Sequence, residues 1–112
     1  MANLYKRYRS DLTAATPTPL FQVAEASVMI VRSIWFCNTG GAASTLRVSF
    51  SPGGSGTQYL VNAYSLASNE FYDVIGTKPT GPLILEGLDI LRVESSGSGV
   101  SVVVSGLIVD RT

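Results

Sequence analysis

No stretch of this chain keeps an apolar repeat of 3.6 residues for three turns, which removes the amphipathic helix as its building block. The apolar residues fall instead in short runs that end at Gly, Pro, Asn or Ser. Eleven glycines and five prolines punctuate the 112 residues, and β-branched and aromatic side chains dominate between them. Short runs of this kind, with no helix interleaved, describe an antiparallel sandwich or barrel.

The run from Ser27 to Cys37 is the strongest strand. Its alternate residues form two sets, Val28, Ile30, Arg32, Ile34 and Phe36 against Met29, Val31, Ser33, Trp35 and Cys37. Both sets are largely apolar, as in a strand that is central or covered on its second side. Arg32-Ser33 interrupts them, where a β-bulge would switch the set that faces the core. Ser44 to Phe50 alternates cleanly, with Leu46, Val48 and Phe50 inward, and Val100 to Val109 is again apolar on both faces. Further extended segments are expected at Leu20–Val23, Gln58–Val61, Phe71–Ile75, Pro82–Leu85 and Asp89–Glu94, with loops at 51–56 and 76–82. Asn38-Thr39-Gly40-Gly41 supplies positive φ cheaply and is expected to close a hairpin, and Ser95–Gly99 a second one. The fold class expected is all-β, an antiparallel β-sandwich, jelly-roll-like or Ig-like, of about eight short strands.

Residues 1–19 differ from the rest. Met1 to Ser10 mixes aromatic and basic residues, and Asp11 to Pro19 is a Thr/Ala/Pro stretch. Proline lacks a ladder donor and biases its predecessor towards extended geometry. The expectation is an extended N-terminal arm over 1–19 and a β-sandwich domain over 20–112. Tyr and Arg are enriched at interface hot spots, so Leu4, Tyr5, Lys6, Arg7, Tyr8 and Arg9 are the interface residues expected on the arm.

Chemistry is thinly supplied. The chain has no histidine, which removes the commonest general base, the Ser–His and Cys–His dyads and most zinc sites. Cys37 has no basic neighbour in its apolar strand and is expected to be buried and inert. Glu70 with Asp73 and Glu86 with Asp89 are spaced for acid–base pairs. They flank a strand start and a turn, where solvated charges and Asx turns normally fall. The Gly-rich loops at 53–56 and 95–99 lack the lysine of a phosphate-binding loop. The reading is a protein that is not an enzyme and takes no cofactor or metal.

Eight Lys and Arg balance eight Asp and Glu, so no long-range field draws the chain to nucleic acid or to an acidic membrane. The longest apolar run is too short for a membrane-spanning helix. No apolar stretch precedes Asp11 as a signal peptide would require, so synthesis in the cytoplasm is expected. Charged residues are 14% of the sequence, low against an average of about 25%. A small domain with few charges is expected to cover part of its surface with other protein. The alternative is a carbohydrate-binding module with Trp35, Tyr59 and Tyr64 as an exposed sugar-stacking platform.

Three stretches carry a family resemblance. They are Arg32-Ser33-Ile34-Trp35-Phe36-Cys37-Asn38-Thr39-Gly40-Gly41-Ala42-Ala43, Leu46-Arg47-Val48-Ser49-Phe50-Ser51-Pro52-Gly53-Gly54, and the closing segments 83–87, 89–93 and 102–106. Their order resembles a family of small β-sandwich proteins of tailed-bacteriophage virions, over roughly residues 28–109. In that family the Gly–Asp pair at the late turn is contiguous, whereas here Leu88 stands between Gly87 and Asp89. The resemblance implies a virion structural protein: a capsid decoration or cement protein, or a neck or tail accessory protein. The expectation is a homo-oligomer, made in the host cytoplasm, whose other partners are virion proteins such as the major capsid protein or tail and neck proteins.

Overall fold

The computed structural model describes residues 3–75 and 83–110. The loop expected at 76–82 and the first two residues of the expected arm lie outside the described residues.

Among the described residues nine strands follow in chain order: β1 (Asn3–Asp11), β2 (Thr18–Gln22), β3 (Ser27–Asn38), β4 (Ser44–Ser51), β5 (Gln58–Leu66), β6 (Phe71–Asp73), β7 (Leu83–Leu85), β8 (Ile90–Ser95) and β9 (Val100–Asp110). A single 3-10 turn at Pro52–Gly54 separates β4 from β5. The first sheet runs β1-β9-β3-β6, with β7 also paired to β3, and the second runs β2-β8-β4-β5. Every pairing is antiparallel. Only β4 and β5 are neighbours both in sequence and in a ladder. This interleaving of two four-strand orders is the jelly roll, which decides between the two sandwich types expected.

The strand positions agree with the sequence reading, but the two hairpins do not exist. β3 and β4 lie in different sheets, as do β8 and β9. The two Gly-rich connections are corners at one end of the sandwich, packed on each other. Thr39 N–H donates to the Gly99 carbonyl at 2.9 Å, and a Cβ on Gly99 (φ 86°) would sit 2.8 Å from the Gly40 backbone. Asn38 is buried there. Its Nδ2 donates to the carbonyls of Ala42 (2.9 Å) and Leu66 (3.1 Å), and its Oδ1 accepts from Gly40 N–H at 2.9 Å.

The N-terminal segment is extended, as its composition implies, but it is not a separate arm. β1 pairs with β9 along its whole length, from Asn3 opposite Val109 to Asp11 opposite Ser101. It is the edge strand of the first sheet, so the sandwich does not begin at residue 20. Pro19 lies in β2, an edge strand of the second sheet, which is where a residue without a ladder donor is tolerated.

The core lies between the sheets. Its fully buried large side chains include Met29, Ile34 and Phe36 of β3, Leu46 of β4, Leu85 of β7 and Leu91 of β8. The bulge expected at Arg32-Ser33 is present, since the β3–β9 register shifts between Val31 and Ser33. Met29 and Val31 face inward before it, Ile34 and Phe36 after it. Gly106 lies opposite Val31, and a Cβ there would collide with the Ile30 carbonyl. Stacked rings bridge the two sheets at each lateral edge: Tyr8 on Phe21 at 4.3 Å and Tyr64 on Tyr72 at 3.9 Å between centroids.

Candidate functional site

Once the inward residues of the first sheet are assigned to the core, the ladder registers place the others in rows across its outer face. Opposite residues of an antiparallel pair share a face. One row runs Tyr5, Leu107, Ile30 and Ile84 over β1, β9, β3 and β7. It is apolar from edge to edge, and its two ends are well exposed, Tyr5 at 77% and Ile84 at 57%. A second row runs Arg9, Val103, Trp35 and Asp73. Trp35 stacks on Phe71 with centroids 5.2 Å apart, and both rings are exposed. Between these rows Arg7 lies opposite Ser105 and Ser105 opposite Ser33, whose hydroxyls are hydrogen-bonded to each other.

Bulging Arg32 out of the ladder adds a cation to this face. Lys6, Arg7, Arg9 and Arg32 are all exposed, and none forms an ion pair among the described residues. Tyr5, Lys6, Arg7, Arg32, Ser105 and Gly106 line one shallow groove. By register Arg7 and Arg9 share this face and Lys6 lies on the other side of β1, so the outer face combines an apolar row with exposed arginines that form no ion pair among the described residues. Contiguous exposed apolar surface of this sort marks an interaction site.

The outer face of the second sheet differs in kind. Arg47, Ser49, Tyr59, Arg92 and Glu94 line its groove. Its cations are engaged: Arg47 Nε donates to Asn62 Oδ1 and Arg92 Nε to Ser51 Oγ, each at 3.1 Å.

Of the interface residues expected on β1, Leu4, Tyr5, Lys6, Arg7 and Arg9 are exposed. Tyr8 is half-buried and turned against Phe21, so it closes the sandwich edge instead. Trp35, Tyr59 and Tyr64 do not share an open face. Trp35 lies on the first sheet, Tyr59 lies opposite Ser49 on the second, and Tyr64 packs on Tyr72 at the lateral edge. The platform required by the carbohydrate alternative is not assembled. Sequence reasoning did not name Ile30, Ile84, Phe71 and Leu107 for this face. Its one signal was the apolarity of both residue sets in β3 and β9, and only the pairing shows which set is left uncovered.

The aspartates of the two expected pairs serve the backbone. Asp89 is buried, and its carboxylate accepts from Gly53 N–H and Glu86 N–H, both at 2.9 Å. Asp73 Oδ1 accepts from Ile75 N–H at 3.2 Å. Cys37 is exposed, contrary to expectation, because the bulge gives it the outward parity of Trp35. Among the described residues no group of three or more His, Cys, Asp or Glu is placed to hold a metal ion. No helix among them is long and apolar enough to cross a membrane.

No family model matches the chain, and no curated protein sequence matches it. Solved structures match its fold. A chain of the T13 IBDV viral particle superposes on 95% of this chain with a TM-score of 0.57 at 12% identity. A chain of the T=1 particles derived from infectious bursal virus covers 96% with a TM-score of 0.55 at 12% identity. One from the Gx strain of infectious bursal disease virus covers 96% with a TM-score of 0.53 at 14% identity. The present chain spans 30%, 30% and 32% of their respective lengths. At these identities the likeness is one of fold.

Proposed function

We propose that this chain is a non-enzymatic structural component of a virion, a bacteriophage capsid decoration or cement protein that stabilises the particle through protein–protein contacts. The observation that carries this reading is the outer face of the first sheet, with its exposed Trp35–Phe71 stack, its apolar row and its unpaired cations. The jelly-roll likeness to chains of viral particles supports the same role. Partners are further copies of the chain and other virion proteins such as the major capsid protein. Tyr5, Arg7 and Arg9 of β1 form one rim of the contact, with Leu4 and Lys6 exposed on the other side of the same edge strand.

The mechanism is burial. Apolar area removed from water contributes about 25 cal/mol per Å², and a standard interface takes about 800 Å² from each partner. The molecule measures 46 × 25 × 23 Å, so one broad face is large enough for such a contact. A neck or tail accessory protein would use the same face, and the location of the bound protein on labelled particles separates the two.

Trp35→Glu tests the reading, because Trp35 is exposed at 45% and faces away from the core. The variant should keep the circular dichroism of the parent and lose retention on particles that lack the native protein. Retention at parental occupancy would remove this face from the proposal.

A further inference from the structure

We infer that the Leu88 turn of one copy docks into the Arg7–Arg32 groove of a second copy, an inference that rests on the assembly role proposed above. The turn Glu86-Gly87-Leu88-Asp89 joins β7 to β8. Leu88 has φ 71°, a left-handed conformation that a leucine adopts only at a cost, and its side chain is 39% exposed. The backbone beneath it is held firmly. Leu88 N–H donates to the Val23 carbonyl at 2.8 Å, Gln22 Nε2 donates to the Leu88 carbonyl at 3.1 Å, and the Asp89 carboxylate ties the turn to Gly53. A costly conformation that presents an apolar side chain to solvent points to a use outside the subunit.

The flanks of this leucine are acidic. Glu86 belongs to the same turn, and the neighbouring Ala24–Ala26 turn carries Glu25, whose carbonyl backs onto Gly87 so closely that a Cβ there would collide. Both glutamates are exposed, and neither forms an ion pair among the described residues. The turn is thus an apolar knob between two carboxylates. Its complement is the groove on the first sheet, lined by Tyr5, Lys6, Arg7, Arg32, Ser105 and Gly106, with Leu107 and Ile30 continuing the row of Tyr5 beside it. The charge left open on the turn is opposite in sign to the charge left open at the groove.

The turn lies at one end of the sandwich and the groove on a face, so a copy cannot fill its own groove. The contact is heterologous and propagates around a ring or along an array.

Sedimentation of the full chain over a concentration series, with thermal unfolding of each variant, tests this. Leu88→Gly should leave the melting temperature unchanged or raised while weakening self-association about tenfold or more. Arg32→Glu and Glu86→Arg should each weaken association, and the double variant Arg32→Glu/Glu86→Arg should restore it. If the parent associates and these variants associate equally well, the Leu88 contact is wrong while the assembly role stands. A parent chain that is monomeric at every concentration also overturns the contact, and the role then depends on particle retention in the Trp35→Glu experiment.

Discussion

Asp89 and Ala63 meet the same physical requirement, a backbone that leaves regular strand geometry, in opposite ways. Asp89 places a buried carboxylate between the N–H groups of Gly53 and Glu86. Replacing it by alanine leaves two backbone donors without that acceptor, at a cost of about 1–3 kcal/mol for each group that stays dry. Asp89→Ala should therefore shift the urea midpoint down sharply, and a midpoint within error of the parent would show that the clamp carries no stability. Ala63 is the extra residue of the bulge between Asn62 and Tyr64, has φ 66° and is exposed. A left-handed alanine costs about 1–2 kcal/mol, whereas glycine loses about 0.5–1 kcal/mol in chain entropy. Ala63→Gly should raise stability by up to about 1 kcal/mol, read as a higher urea midpoint with an unchanged slope. The requirement at Asp89 was half legible, since an Asx turn was the expected role for that carboxylate. Nothing in the sequence around Ala63 announces a positive φ, because alanine is not a residue chosen for one.

β1 is where sequence and structure part most. Its Lys6, Arg7 and Arg9 read as a solvated or docking segment, yet Tyr8 packs against the core and the strand covers the open edge of β9. Removing residues 1–11 would expose a long apolar strand edge, and such edges promote aggregation. The truncated chain is expected to lose its cooperative unfolding transition and to aggregate. A soluble fragment that melts like the parent would make the segment an independent arm after all. Edge strands hide well in sequence, because one neighbour and one half-covered face require few apolar residues. The Arg32-Ser33 bulge was legible for the converse reason: a charged residue interrupting an apolar alternation has few places to go. The corners at 38–41 and 95–99 show the limit of local reading. Turn chemistry records that the chain reverses there, but the same Asn and Gly serve a reversal within one sheet or a crossing to the other.

At the scale of the whole molecule, the sandwich has one outer face whose cations are engaged, on the second sheet, and one that carries an apolar row and exposed aromatic rings beside unpaired arginines, on the first. Particle retention after Trp35→Glu and self-association after Leu88→Gly probe that asymmetry at two separate points, the face itself and the turn proposed to fill it. What the amino-acid order determined by itself is the all-β class, the strand positions and the bulge in β3. These follow from the spacing of apolar side chains and from turn residues, which act over a few positions along the chain. Only the tertiary structure decided that β1 belongs to the sheet, that the corners cross between layers, and that Trp35, Phe71, Ile30 and Ile84 meet on one uncovered face. Each of these depends on which strand lies beside which, and pairing between distant segments is chosen by the best joint burial of the whole core rather than by any residue's own preference.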